Sequence, residues 1–256
     1  MDELGFDIKR EGGIATIRFD RTTRRNALSF DILRRLTEIA RSFEYDSETR
    51  AIILTGTKTC FSAGMDLKDT AHVEFTQGSL TKQRRMSQVG PRMARAFAGI
   101  EQVTIAAVEG PCLGGGLVLA SLCDFRVAGN DALFGTPEVS IGLNMSWHSV
   151  PRLVSLVGVQ ATKRLLLLNE RFSAQEARDI GLVDYVTGAG TALSRAQLLA
   201  DAAAAMPPDA QQMVKRQIDA AAFGQDIAMS AIDADQNLLA RHDKSFLEAR
   251  RKFLDR

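Results

Sequence analysis

The sequence predicts an α/β domain with parallel strands, and three observations carry that prediction. Apolar β-like runs recur at 51–55, 104–109, 123–128 and 182–186, with helical patterns between them at about 84–99 and 115–122. Two of the runs lead into glycine-containing loops that read as the turn from a buried strand into a helix. The composition, 45% hydrophobic and 25% charged over 256 residues, is that of a globular chain long enough for one large domain or a domain with a small appendage.

In chain order, Ile14-Ala15-Thr16-Ile17-Arg18-Phe19 alternates as a strand does. Residues 29 to 44 place Phe30, Leu33, Leu36, Ile39, Ala40 and Phe43 at helical spacing behind Ser29, a natural N-cap. The first loop follows Ala51-Ile52-Ile53-Leu54-Thr55-Gly56 and reads Phe61-Ser62-Ala63-Gly64-Met65-Asp66-Leu67. The second follows Thr104-Ile105-Ala106-Ala107-Val108-Glu109-Gly110 and reads Leu113-Gly114-Gly115-Gly116-Leu117. Helix N-termini carry unpaired N–H groups and partial positive charge, so two such loops are suited to holding one oxyanion between two amides.

After residue 145 the pattern turns mostly helical. Ser173-Ala174-Gln175-Glu176 fits a capping box, and Pro207-Pro208 opens a further helix. From 191 onward the chain is rich in Ala, Leu and charge. The expected organisation is a core over 1–195 carrying the active site and a helical region over 196–256 that packs subunits together, with a soft boundary near 190–205.

Composition excludes several classes. A net charge of +1 and the lack of a concentrated basic and aromatic surface argue against nucleic-acid binding. No apolar run reaches the roughly 18 residues of a membrane span. The acidic start Met1-Asp2-Glu3-Leu4-Gly5 is not a secretory signal, so a cytoplasmic location is expected. Cys60, Cys112 and Cys123 lack metal-type spacing and read as buried free thiols.

Through these two loops and three further segments, the chain resembles the crotonase (enoyl-CoA hydratase/isomerase) superfamily over nearly its whole length. Five ordered segments carry the resemblance: Arg24-Arg25-Asn26-Ala27-Leu28-Ser29, the two glycine loops, Phe134-Gly135-Thr136-Pro137-Glu138-Val139-Ser140-Ile141-Gly142-Leu143, and Arg171-Phe172-Ser173-Ala174-Gln175-Glu176-Ala177 with Gly181-Leu182-Val183-Asp184. The resemblance implies a spiral of repeated β-β-α units with C-terminal helices, assembly as a trimer or dimer of trimers, and an acyl-CoA thioester substrate. It implies no cofactor beyond the coenzyme A of the substrate.

Residue by residue, the resemblance maps the two oxyanion-hole amides onto Met65 and Gly115 and a catalytic acid onto Glu138. The mostly apolar neighbours of Glu138 would raise its carboxyl pKa toward neutrality. The resemblance further places Ala27, Ala63, Asp66, Leu67, Leu113, Gly114, Val118, Pro137 and Leu143 along the bound thioester. It offers Arg24, Arg25 and Lys68 to the coenzyme A phosphates, and brings Phe246 and Lys252 near the nucleotide. A solvated basic helix face is the competing reading of that C-terminal segment, and Lys82-Gln83-Arg84-Arg85 reads as a solvated helix start.

Two departures from the family pattern matter. Val118 stands where typical hydratases carry a second glutamate, and valine moves no proton. That favours isomerisation, or another one-acid reaction, although hydration through Glu138 alone stays open. The second departure is Asn144-Met145-Ser146-Trp147-His148-Ser149-Val150-Pro151, where many relatives have a glycine-rich turn. There Trp147 and Met145 are candidates for the acyl pocket, and Ser146 or His148 for a second polar group, with helix capping the plainer role for His148. The stretch 66–88 is expected to cover the pocket. The alternatives are a lyase, decarboxylase or thioesterase acting on a branched or aromatic acyl-CoA, or a non-catalytic acyl-CoA binding protein.

Overall fold

The computed structural model describes residues 1–254. It opens with β1 (Phe6–Glu11) and β2 (Ile14–Phe19), joined through Gly12 and Gly13 as an antiparallel pair. Then follow α1 (Phe30–Arg41), β3 (Ala51–Thr55), the short helices α2 (Ala71–Gln77) and α3 (Leu80–Ser87), and α4 (Val89–Ala98). The middle of the chain forms β4 (Val103–Val108), β5 (Pro111–Leu113), α5 (Gly115–Ser121), β6 (Phe125–Gly129) and β7 (Leu133–Gly135). Next come α6 (Ser149–Leu167, broken at Gly158), β8 (Phe172–Ser173), α7 (Ala174–Asp179) and β9 (Tyr185–Thr187). The remainder is helical: α8 (Ala192–Ala204), α9 (Pro208–Phe223), α10 (Asp226–Met229), α11 (Asp233–Ala240) and α12 (Lys244–Leu254).

The main sheet runs β1-β2-β3-β4-β6-β9, parallel everywhere except at the β1–β2 edge, and β5-β7-β8 form a small second sheet. Every residue of β3 and β4 is buried because both faces of the main sheet are covered. On one face Ile17, Ile52, Leu54, Ala106 and Val108 join the large core with α1, α4 and α5. On the other, Ile53, Ile105 and Val127 pack beneath Ala192, Ala196 and Ala200 of α8, a small-residue stripe at four-residue spacing that lets the helix sit close to the strands.

The expected helix N-cap at Ser29 is present, its side chain accepting from the Ile32 N–H, and so is the capping box at Ser173 and Glu176. The expected helix over 84–99 is instead two helices, α3 and α4, interrupted at Gln88. A boundary at 195/196 falls inside α8, which packs on β3, β4 and β6, so the sheet's own cover extends to Ala204. The three cysteines are buried and free. Among the described residues no helix is long and apolar enough to cross a membrane.

Candidate active site

The first loop is built around Asn26. Its buried Nδ2 donates to the carbonyls of Phe19 (3.1 Å), Cys60 (3.1 Å) and Phe61 (3.3 Å), and its Oδ1 accepts from the Arg21 N–H at 2.6 Å. Asn26 holds φ at +51°, a left-handed conformation that asparagine tolerates better than most residues. Ser62 donates to the Asn26 carbonyl and accepts from the Gly64 N–H. The Leu28 N–H then bonds the Gly64 carbonyl (2.8 Å) and the Asp66 N–H bonds the Leu28 carbonyl (3.0 Å). In this parallel ladder the Met65 N–H, lying between those two bonds, turns away from Leu28.

The second loop meets the first through the Leu113 N–H, which donates to the Ser62 carbonyl at 2.9 Å. Gly114 (φ +53°, ψ −123°) then swings the chain into α5, leaving the Gly115 N–H as the first amide of that helix. Among the described residues neither the Met65 nor the Gly115 N–H has a protein acceptor. The two loops touch: a β-carbon built on Gly64 would lie 2.8 Å from the Leu113 carbonyl oxygen and 3.4 Å from the Gly115 nitrogen.

Glu138 enters from a third segment. The Ile141 and Leu143 N–H groups both donate to its carbonyl, curling 138–143 into a tight turn that sends the carboxylate back over Gly114. Glu138 as a whole is half-buried, with Val139 and Ser140 beside it exposed, but carboxylate Oε2 is buried and has no hydrogen-bond partner among the described residues. Loss of hydration pushes the carboxyl up to about 7, partly opposed by its own backbone N–H. Glu138 is the one carboxylate among the described residues lining a cavity of about 220 Å³. Met65, Leu67 and Gly115 line it beside Val118, and Phe30, Leu33, Phe75 and Met86 add apolar wall.

The family profile for Enoyl-CoA hydratase/isomerase matches residues 9–256. The chain belongs to the enoyl-CoA hydratase/isomerase family. It is 32% identical to the Short-chain-enoyl-CoA hydratase of Clostridium acetobutylicum over 213 residues, covering 83% of this chain and 80% of that protein. It is likewise 32% identical to the Crotonyl-CoA hydratase of Syntrophomonas wolfei, over 95% of each chain. The solved structure of Pseudomonas aeruginosa OdaA superposes with a TM-score of 0.87 at 29% identity, covering 100% of both chains. The chain is therefore an enzyme of the crotonase superfamily with its mixed α/β fold.

Of the residues the family resemblance nominates, Ala63, Gly114, Pro137 and Leu143 line the cavity, as do Met145 and Trp147 from the segment that departs from the family pattern. Trp147 stacks over the second loop: a β-carbon on Gly115 would come within 2.7 Å of its Cζ3, and one on Gly90 would collide with its indole nitrogen. Leu113 stands just behind the loop as the last residue of β5.

Other nominees do structural work outside the lining. Asp66 is buried, facing Arg21 at 3.4 Å and Arg24 at 3.7 Å, and it accepts from the Lys68 N–H, so it anchors the first loop. The Ala27 carbonyl accepts from Arg21 Nη1. Arg25 lies at φ +51°, its carbonyl accepting from the Ala63 N–H at 3.0 Å. Phe246 is 3% exposed where α12 packs on the 138–143 turn of its own chain, so it does not reach the cavity surface. His148 stands at the N-cap position of α6 but its side chain makes no capping bond; its Nε2 lies 2.9 Å from Arg95 Nη1, and Ser146 rather than His148 lines the cavity. Lys252 falls in α12, with no cavity contact among the described residues.

Three residues carry no sign of their role in the sequence: Asn26, the organiser of the first loop, and Arg241 and Asn237, which reach the cavity from the C-terminal helices. A buried polar side chain that serves only backbone carbonyls leaves no periodic signal, and neither does a lone arginine in a charged helical stretch.

Proposed function

We propose that this enzyme moves the double bond of an enoyl-CoA thioester by a proton shuttle through Glu138. The observation that carries the reading is the single carboxylate in the cavity lining, its Oε2 buried and unpartnered, with apolar Val118 in the same wall. The thioester oxygen fits between the Met65 and Gly115 N–H groups. Glu138 as carboxylate takes a proton from C2 of a 3-enoyl thioester, and the C–H electron pair passes into a dienolate whose oxygen charge the two amides stabilise. The Glu138 carboxylic acid then returns the proton to C4, the carbonyl reforms, and the double bond is left between C2 and C3.

Atoms balance without water or a second acid. Each amide of such an oxyanion hole contributes about 2.7–4 kcal/mol to the transition state. A carboxyl poised at about 7 both takes and gives the proton readily at neutral pH. Hydration asks for one group to activate water and another to protonate carbon, which one carboxylate serves less well.

The test is incubation of the purified enzyme with 3-enoyl-CoA and, separately, 2-enoyl-CoA, following the conjugated product by ultraviolet absorbance. Conversion of 3-enoyl to 2-enoyl thioester that Glu138→Gln abolishes is expected. The reading is wrong if neither substrate changes and Glu138→Gln alters nothing across a wider thioester panel. Release of free CoA or carbon dioxide would instead favour C–S or C–C cleavage.

A further inference from the structure

Arg241 lies in the cavity wall at the C-terminal end of α11, among residues otherwise mostly apolar. Its guanidinium is stacked between two rings, 5.4 Å from the centroids of Phe75 and Phe246. Its Nε donates to Asn237 Oδ1 at 2.9 Å. The Nη donors have no acceptor, and no carboxylate lies within ion-pair distance, among the described residues. Arg241 is half-buried, and a partly desolvated cation without a counter-ion carries a cost that an anionic ligand would relieve.

The surroundings add positive charge instead of cancelling it. Burial, with the nearby Arg250 charge, pushes Arg241 down to about 10. Burial together with the charges of Arg241 and Arg250 holds His72 down at about 4, so His72 stays neutral and donates to the Asp66 carbonyl. Glu138 feels no cation: its upward shift comes from burial. Arg241 and Glu138 line the same cavity without forming an ion pair, and the two rings beside the guanidinium leave its Nη groups as the free recognition surface.

We propose that Arg241 is a specificity-determining residue that binds a carboxylate at the far end of the substrate's acyl chain, so that the preferred substrates are thioesters of short dicarboxylic acids. This rests on the thioester-binding reading of the same cavity. With the thioester at the two amides and C2 to C4 beneath Glu138, a terminal carboxylate supplies the counter-ion that the protein withholds. Ring stacking fixes the guanidinium plane for a two-point contact, and at about 220 Å³ the cavity takes a short chain.

The test measures equilibrium binding of two saturated thioesters that the proposed isomerisation leaves intact, hexanedioyl-CoA and hexanoyl-CoA. The native enzyme is expected to bind the dicarboxylic form at least about 30-fold more tightly, the range of a hydrogen-bonded charge contact. Arg241→Met, which keeps an apolar stem against the rings, is expected to bring that ratio within about threefold without weakening hexanoyl-CoA. Equal binding of the two thioesters by the native enzyme overturns the proposal even if the variant does not fold. So does a dicarboxylate preference that survives Arg241→Met, or equal weakening of both ligands, which would make Arg241 a packing residue only. Turnover is read separately: tight hexanedioyl-CoA binding with 3-hexenedioyl-CoA left unrearranged refutes the isomerase reading alone. Rearrangement of 3-hexenoyl-CoA by an enzyme without the binding preference refutes this proposal alone.

Discussion

The Glu138 carboxylate rests on the bare backbone of Gly114: a β-carbon built there would stand 2.5 Å from Oε1 and 3.4 Å from Cδ. The missing side chain lets the acid sit close to the start of α5, which the proposed proton transfer and oxyanion binding both require. Gly114→Ala adds a methyl group in that contact and strains a backbone at φ +53°, ψ −123°. We expect it to lower kcat at least about 100-fold and to cost roughly 1–3 kcal/mol of stability. Rate assays paired with thermal melts check this, and full activity in Gly114→Ala would show that the contact is incidental.

Glu138 sets a pH dependence in both rate and stability. Acting first as a base, it must be ionised, so kcat/KM for a 3-enoyl thioester should rise through a single ionisation near about 7. For stability, the folded carboxyl holds its proton to higher pH than the unfolded one. Stability is therefore lost as pH climbs from the ordinary value of 4.5 to about 7, then levels off. Glu138→Gln escapes that loss, so its advantage in urea unfolding should be larger at pH 8 than at pH 5, by no more than roughly 3 kcal/mol. An advantage that shrinks with pH contradicts the assignment.

Trp147 is the only tryptophan, and it lines the cavity over Gly115. An acyl chain entering there expels water from the indole, so acyl-CoA binding should shift the emission to the blue, while free CoA should change it far less. Trp147→Phe must abolish the signal. An unchanged spectrum at saturating acyl-CoA would place the acyl group elsewhere.

Asn26 binds three carbonyls and one amide in a site with no exposed surface. Asn26→Ala strands those groups without water, an expected cost of about 2–4 kcal/mol. Because the Met65 amide is aimed by the same loop, kcat should also fall. Urea denaturation and steady-state kinetics on one preparation test both; stability unchanged within error would mean the loop holds itself.

The parts of this enzyme legible from sequence are those governed by short-range rules. β3 and β4 announced themselves as continuous apolar runs because both sheet faces are covered. Ser29 and Ser173 marked helix starts because capping acts within four residues, and Gly114 marked the loop because few other residues take its backbone conformation. β1 went unread: Phe6–Glu11 is an edge strand exposed along much of its length, so only Phe6 of its side chains is buried. α2, which brings Phe75 to the cavity, also went unread, whereas α3 was legible in part, through the helix start at Lys82–Arg85 and the pattern from 84.

The alternation of apolar runs and helical patterns gave an α/β class, and the ordered motifs carried the family resemblance, which in turn nominated the two amides and the acid. Whether those residues share a site depends on contacts across the fold. The pKa of Glu138 comes from desolvation by segments more than twenty residues apart, the shape of the acyl cavity comes from α2, α3 and Trp147 closing over the loops, and the unpaired charge of Arg241 comes from α11 folding back onto them. Burial and ion pairing are sums over neighbours brought together in space. A string of residues carries turn and helix preferences directly, but it acquires a dielectric, a cavity and a missing counter-ion only once the chain has packed.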